Sequence, residues 1–364
     1  MSDSHPPVSE ATAKPVPLFV IGCDRSGTTL LTSLMETGLD LAAPLETHFI
    51  PYFARCLFLW GDAGQSANRL RLMRTILEFS EILVARNYPE KESAALHPAT
   101  LLAVREQAGS LATGARDFGG MVRGLFESYA TFHGQTGWVD NSSFYESLPL
   151  ALWQRHLPEM KVIHIVRDGR DVALSWMKSW WGPATLGEAA WLWQRHVADK
   201  RAWGRSHPGA YLELRYETLL SQPEETLERI AVFLGRELRK DPPPLSASLT
   251  ARILSTGGTH DLLRGPVKAD NQQKWPRSMG DEEQRLFEFT AGETLRNSGY
   301  PTRFAHFSPG DRLRLGLRLF VALRKKYLTR VFYAKKAKWW LPVALFLAGP
   351  WSPSLVRLLT GKKR

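Results

Sequence analysis

The stretch FVIGCDRSGTTLL, starting at Phe19, sets Arg25, Ser26, Thr28, Thr29 and Leu30 around Gly27, with Gly22 ahead of them. Read from Gly22, the pattern is G-x-x-x-x-G-T-T. It differs from the phosphate-cradling loop G-x-x-x-x-G-K-[ST] at Thr28, which stands where that loop has its lysine. An apolar run leads in and a helical pattern leads out, so backbone N–H groups at a helix start can still hold an oxyanion. The missing lysine is the group that serves the β and γ phosphates. Its loss raises the question of which anion the loop holds.

A second stretch, KVIHIVRDGRDVALSW (161–176), ends a strand-like run at Arg167. Ser175 follows eight residues later, about two helical turns on if a helix begins near Asp171. A guanidinium offers a planar fork to a phosphate, and a hydroxyl can satisfy a remaining oxygen. Read alone, Arg167 fits as well as a strand-edge ion pair with Asp168 or Asp171.

Both stretches need strands to deliver them and helices to follow. Strand-like apolar runs occur at Leu18–Ile21, Lys161–Val166 and Tyr211–Leu214. Helical periodicity covers 68–85, 186–205 and 221–235, the last with Ser221 as N-cap, Pro223 in the first turn and Gly235 as a stop. Strands alternating with helices predict an α/β fold with a central parallel sheet and covered faces. Residues 241–275 are broken by Pro and Gly and read mainly as loop.

The chain has 364 residues and two cysteines, Cys23 and Cys56, which argues against a disulfide scaffold and fits a reducing compartment. Residues 1–16 lack the apolar segment of a secretory signal and read as a disordered leader. The net charge of +11 is uneven. Residues 303–364 hold 15 Lys and Arg against one acid, Asp311, so they carry +14 and the preceding 302 residues carry −3. The basicity therefore belongs to a tail and argues against nucleic acid as the partner of the body.

The whole pattern resembles the PAPS-dependent sulfotransferases, where PAPS is 3′-phosphoadenosine 5′-phosphosulfate. DRSGTTLL resembles that family's 5′-phosphosulfate loop, and the Arg–Ser pair of RDGRDVALS resembles its 3′-phosphate site. YLELRYETLL (211–220) is similar to the strand that follows, and QKW (273–275) to a late Lys–Trp segment. The likeness spans roughly residues 18–300, with the motif layout of the tyrosylprotein and bacterial branch. It implies a P-loop NTPase-like fold over residues 17–302 and transfer of the sulfonate of PAPS to a hydroxyl. A donor with one 5′-phosphate and a sulfonate needs neither the lysine nor a metal ion. The implied donor contacts are Arg25, Ser26, Gly27, Thr28, Thr29 and Leu30, with Arg167 and Ser175 at the 3′-phosphate. Lys274 is implied as a further phosphate contact and Thr259 as another. Tyr216 is placed beside the adenine, with a core aromatic as the equal alternative.

Sulfonyl transfer needs a base for the acceptor hydroxyl. By the same resemblance Glu46, in ETHFIP (46–51), is that base, acting with Arg25. His48 is the rival, because the small-molecule branch uses a histidine, and is assigned here as a substrate contact. Many relatives carry a lysine that stabilises the moving sulfonate, and here Asn141, in WVDNSSFY (138–145), stands at its place. Asn141 is a second substrate-contact candidate, able to donate a hydrogen bond but not a charge. His133, His156 and His164 are weaker candidates, and His164 reads as a core histidine. The competing functions are a P-loop phosphotransferase and a catalytically inactive nucleotide-binding protein at a membrane.

Residues 303–364 interleave cations with Leu, Phe, Tyr and Trp, a composition suited to an anionic membrane surface. The uncharged run near its end is interrupted by Pro342, Pro350 and Pro353, too often for a spanning helix. A lid packed on the body is the plainer alternative. The expectation is a cytoplasmic protein, peripheral on the cytoplasmic face of a membrane. An acceptor that is a lipid, a glycan or another small molecule ranks above peptide tyrosine.

Overall fold

The computed structural model describes residues 15–44, 47, 49–87, 104–141, 150–179, 182–242 and 272–333. A five-stranded sheet lies at the centre: β1 (Leu18–Ile21), β2 (Leu41–Ala42), β3 (Gly137–Asp140), β4 (Lys161–Val166) and β5 (Tyr211–Arg215), in the order β2-β3-β1-β4-β5. Every pairing is parallel. Side chains alternate between faces with the period of two that a strand dictates. Phe19, Ile21 and Val162 enter one core with Phe126, Trp138 and Trp153. Leu18, Val20, Ile163 and Ile165 enter the other, with Leu31, Met35 and Ile230. Both faces are therefore covered, as a parallel sheet requires.

The helices supply the covers. They are α1 (Thr28–Leu39), α2 (Phe49–Phe53), α3 (Ser66–Asn87), α4 (Ala108–Gly114), α5 (Phe118–Phe132), α6 (Leu150–Gln154), α7 (Gly169–Trp176), α8 (Leu186–Ser206), α9 (Tyr216–Ser221), α10 (Pro223–Leu234), α11 (Trp275–Ser278), α12 (Asp281–Asn297) and α13 (Pro309–Tyr333). The strands and helices expected from pattern are present, with two differences. Strands β2 and β3 were not foreseen. In the run 221–235 the helix begins at Pro223 after Gln222, not after Ser221, which ends the short helix α9 and whose hydroxyl donates to Glu217 O at 3.0 Å. Gly235 stops α10 with φ +67, as its residue type suggested. Of the run 241–275, residues 243–271 lie outside the described residues, and Trp275 opens α11.

The basic C-terminal segment begins on the body. The backbone N–H groups of Arg303 and Phe304 donate to Glu288 Oε2 at 2.9 and 2.7 Å. Helix α13 then lies against α8 and α12, with Leu315 fully buried.

Candidate active site

The register of β1 on β4 builds the site. Ile21 pairs with His164, so the loop after β1 and the residues after β4 leave the sheet side by side at its C-terminal edge. That edge is where ligands bind in open parallel sheets. Gly22 permits the close approach, since a Cβ there would sit 2.8 Å from Ile165 O. Gly27, at φ +93, caps α1 without a side-chain hydrogen bond, and a Cβ there would meet the Tyr216 ring at 2.4 Å. Arg25 also adopts a left-handed backbone, φ 72, which costs a non-glycine residue energy and turns its side chain toward the neighbouring strand end.

The two sequence anchors meet. Arg25 Nε donates to Ser175 Oγ at 3.0 Å, and Arg167 Nη1 donates to Arg25 O at 3.1 Å. Arg167 lies over the Tyr216 ring, 4.5 Å from its centroid. Tyr216 itself is buried beneath Gly27 and braces the loop. Ser26 is completely buried, and its hydroxyl has no hydrogen-bond partner. Thr28 and Thr29 open α1, whose first turn presents backbone N–H groups, and Leu30 behind them is core. This is a place for an oxyanion: bare amides, a hydroxyl and a guanidinium around a glycine.

The ion pair anticipated for Arg167 is made with Asp171, at a long 3.7 Å, while Asp168 is taken by Arg170 at 2.7 Å. Asp171 does more than its type suggested. Its Oδ1 accepts from the backbone N–H groups of Lys274 and Trp275, both at 2.9 Å. Arg170 stacks on the Trp275 ring at 3.6 Å. The late segment is thus clipped to α7 beside the 3′-phosphate candidates, with Lys274 exposed. Behind the edge, Glu217 accepts from the Asp168 N–H at 3.2 Å and from the Tyr300 hydroxyl at 2.8 Å. Burial, reinforced by Glu217, pushes the Tyr300 phenol far above its ordinary range, so it remains a donor. Trp193 Nε1 donates to Arg167 O at 3.2 Å and fixes the strand end.

Asn141 is buried at the end of β3, where its Nδ2 donates to Thr32 Oγ1 of α1 at 3.3 Å. Next to it, Asp140 is fully buried and accepts from Thr47 Oγ1 at 3.3 Å. Glu46, His48 and Thr259 lie outside the described residues. Thr47, between the first two, is held at the same edge as Asn141 and the loop. Sequence reasoning missed Asp140, Thr47, Glu217 and Trp193. Asp171 was considered only as an ion-pair partner, although its spacing of four before Ser175 puts both on one face of α7.

His164 is the core histidine that its strand implied. Its Nδ1 lies 2.6 Å from the Tyr211 hydroxyl, which donates to Glu213 at 2.9 Å. Nδ1 therefore carries the proton. His133 ends α5, and His156 stacks edge-on against Phe118, so neither reaches the loop.

A model of the sulfotransferase family matches residues 17–240, more than half of the chain, and the chain belongs to that family. Sulfotransferase 1A1 of Bos taurus is 32% identical over 112 residues, covering 26% of this chain and 37% of that one. The chain spans well under half the length of the curated relatives it matches. Among solved structures, the sulfotransferase domain of the Synechococcus PCC 7002 olefin synthase superposes with a TM-score of 0.52 at 20% identity, over 79% of this chain and 96% of that one. The sulfotransferase domain from the curacin biosynthetic pathway gives 0.50 at 17%, over 79% and 99%. The likeness to these two is one of fold: the P-loop-like parallel sheet.

Proposed function

We propose that this chain moves the sulfonate of PAPS to a hydroxyl acceptor and releases adenosine 3′,5′-bisphosphate. The observation that carries the reading is the meeting of Arg25 with Ser175 and of Arg167 with the Arg25 carbonyl, which sets two anion-holding places at one sheet edge. The loop suits a 5′-phosphosulfate: buried Ser26 Oγ lacks a partner, α1 lacks a side-chain cap, and Gly27 leaves room. Arg167 and Ser175, with Lys274 clipped alongside by Asp171, suit the 3′-phosphate. Each charge-assisted hydrogen bond is worth about 1.5–3 kcal/mol.

The donor supplies an activated sulfonate with a phosphate leaving group. Glu46 takes the proton of the acceptor hydroxyl as its oxygen bonds to sulfur and the bond from sulfur to the 5′-phosphate oxygen breaks. Arg25 and the loop amides hold the negative charge that builds on the departing phosphate. With Asn141 neutral, Arg25 is the principal cation at the sulfonate. The acceptor is a lipid or glycan hydroxyl before a peptide tyrosine.

Incubation with labelled PAPS and fractionated extract of the source cells tests this. Transfer of label to an extract component supports it. Transfer from the γ-phosphate of ATP instead marks a phosphotransferase. Tight binding of adenosine 3′,5′-bisphosphate with no transfer to any fraction marks an inactive nucleotide binder.

A further inference from the structure

Helix α13 has two unlike faces. The inner one is satisfied by the body. Leu315 is fully buried, Ala322 nearly so, and Leu319 and Ala322 lie beside Gly187 of α8. Arg314 and Arg318 pair with Glu282 at 2.7 and 3.2 Å, and Asp311 pairs with Arg285 at 2.6 Å. The outer face carries Leu313, Leu317, Phe320 and Val321, which are 67%, 57%, 63% and 64% exposed. At about 100° per residue these four fall in one arc of roughly 100°, opposite Leu315 and Ala322. Ten large hydrophobic side chains are exposed among the described residues, and four of them share this arc, so the patch is not scattered apolar surface.

Cations frame it. Arg324 lies at the centre of the arc, and Arg314 borders it beside Val321. From 312 to 364 the chain holds 14 Lys and Arg and no acid. A second copy of this chain would bring like charge against like charge. No helix among the described residues is long and apolar enough to cross a membrane. An apolar stripe framed by arginines on a helix that does not span is the arrangement of an interfacial helix.

We propose that the outer face of α13 seats this chain on an anionic phospholipid surface. Leu313, Leu317, Phe320 and Val321 enter the boundary between headgroups and acyl chains. Arg324 meets lipid phosphates. Arg314 and Arg318, already held by Glu282, orient the helix and do not count toward lipid attraction. The inference is independent of the donor chemistry, because neither its residues nor its test involves the nucleotide.

The test is sedimentation of the full chain with vesicles of phosphatidylcholine, alone or with a third of phosphatidylglycerol. The wild type should sediment with the anionic vesicles, less so as salt rises, with a salt-resistant fraction from apolar insertion. Leu317→Glu with Phe320→Glu should weaken partitioning by more than about tenfold while leaving the melting temperature unchanged, since both sites face solvent. Phe320→Ser alone, a milder change, should give an intermediate loss. Failure of the wild type to bind anionic vesicles overturns the proposal. So does binding unchanged in both variants, which would place the contact elsewhere in the basic sequence. A dimer of the wild type that the double variant dissociates would make the stripe an interface between copies, and would overturn it too.

Discussion

His164 and Arg167 stand three residues apart on and just after β4, yet they belong to opposite kinds of polar site. Around His164 the charges are paired within the protein, while His164 Nε2 and His196 Nδ1 are buried without a partner. Arg201 grips Glu213 through two bonds of 2.6 and 2.8 Å, Tyr211 bridges Glu213 to the imidazole, and Lys200 and His196 are buried alongside. Around Arg167 the contacts are longer. The Asp171 pair is at 3.7 Å, and the buried Ser26 hydroxyl has nothing to bond. The first cluster spends its charges on stability. The second gathers two guanidinium groups, Arg25 and Arg167, and the unpartnered Ser26 hydroxyl around the helix start, groups whose chemistry suits an oxyanion. Proximity on a strand thus says little about role; the sign of the charges gathered around each residue says more.

The comparison can be broken at its functional end first. Glu46→Gln should slow turnover by about 10²–10⁴-fold with nucleotide affinity unchanged, the range of a positioned general base. If steady-state kinetics show that variant active and His48→Ala dead, the base is the histidine. Arg25→Ala should lower kcat/KM by roughly 10²–10³-fold and weaken donor binding as well, since the guanidinium serves both ground and transition states. Its melting temperature should stay near that of the wild type.

The other end should behave in reverse. Glu213→Ala should cost about 2–3 kcal/mol of unfolding free energy in urea titration, because it strands Arg201 and the Tyr211 hydroxyl. The preference for adenosine 3′,5′-bisphosphate over AMP should not move. Asp171→Asn sits between the two. Losing the charge that holds the Lys274 and Trp275 amides should cut that preference by about tenfold, a shift in Kd rather than in kcat.

The smallest effect is on pH. Burial holds His164 below its ordinary pKa against the pull of Glu213, and burial with Lys200 and His164 nearby holds His196 lower still. The unfolded chain then binds protons that the folded one refuses, so stability falls as pH drops below about 6.5. Burial would raise the Glu213 carboxyl, but the two bonds from Arg201, with the His164 ring 3.6 Å away, win and depress it far below its usual range. Its stabilisation is therefore present above pH 4.5 and is lost as pH falls further. Melting temperatures measured from pH 8 down to about 2 should decline in those two stages.

Much of this was legible in sequence, for physical reasons that differ by element. Strands β1, β4 and β5 are apolar runs because a central parallel strand is buried on both faces. Strand β2, of two residues, and β3, GWVD, carry too little local signal; their pairing to neighbours makes them strands. The loop and its arginine–serine partner were legible because glycine and charge at fixed spacing have few other uses. The role of Asp171 as a clip was not, because its partners are backbone amides more than 100 positions later in the chain. The tail was read as one basic piece, and which of its faces the body covers is a tertiary fact that composition cannot carry.

The proposed function requires the sheet edge to hold two separate anionic groups of one nucleotide. Calorimetry with adenosine 3′,5′-bisphosphate and with AMP, both in EDTA, tests it most directly. The bisphosphate should bind about a hundredfold tighter, from two charge-assisted bonds at Arg167 and Ser175, with no need of a divalent metal. Equal affinity for the two nucleotides would contradict it.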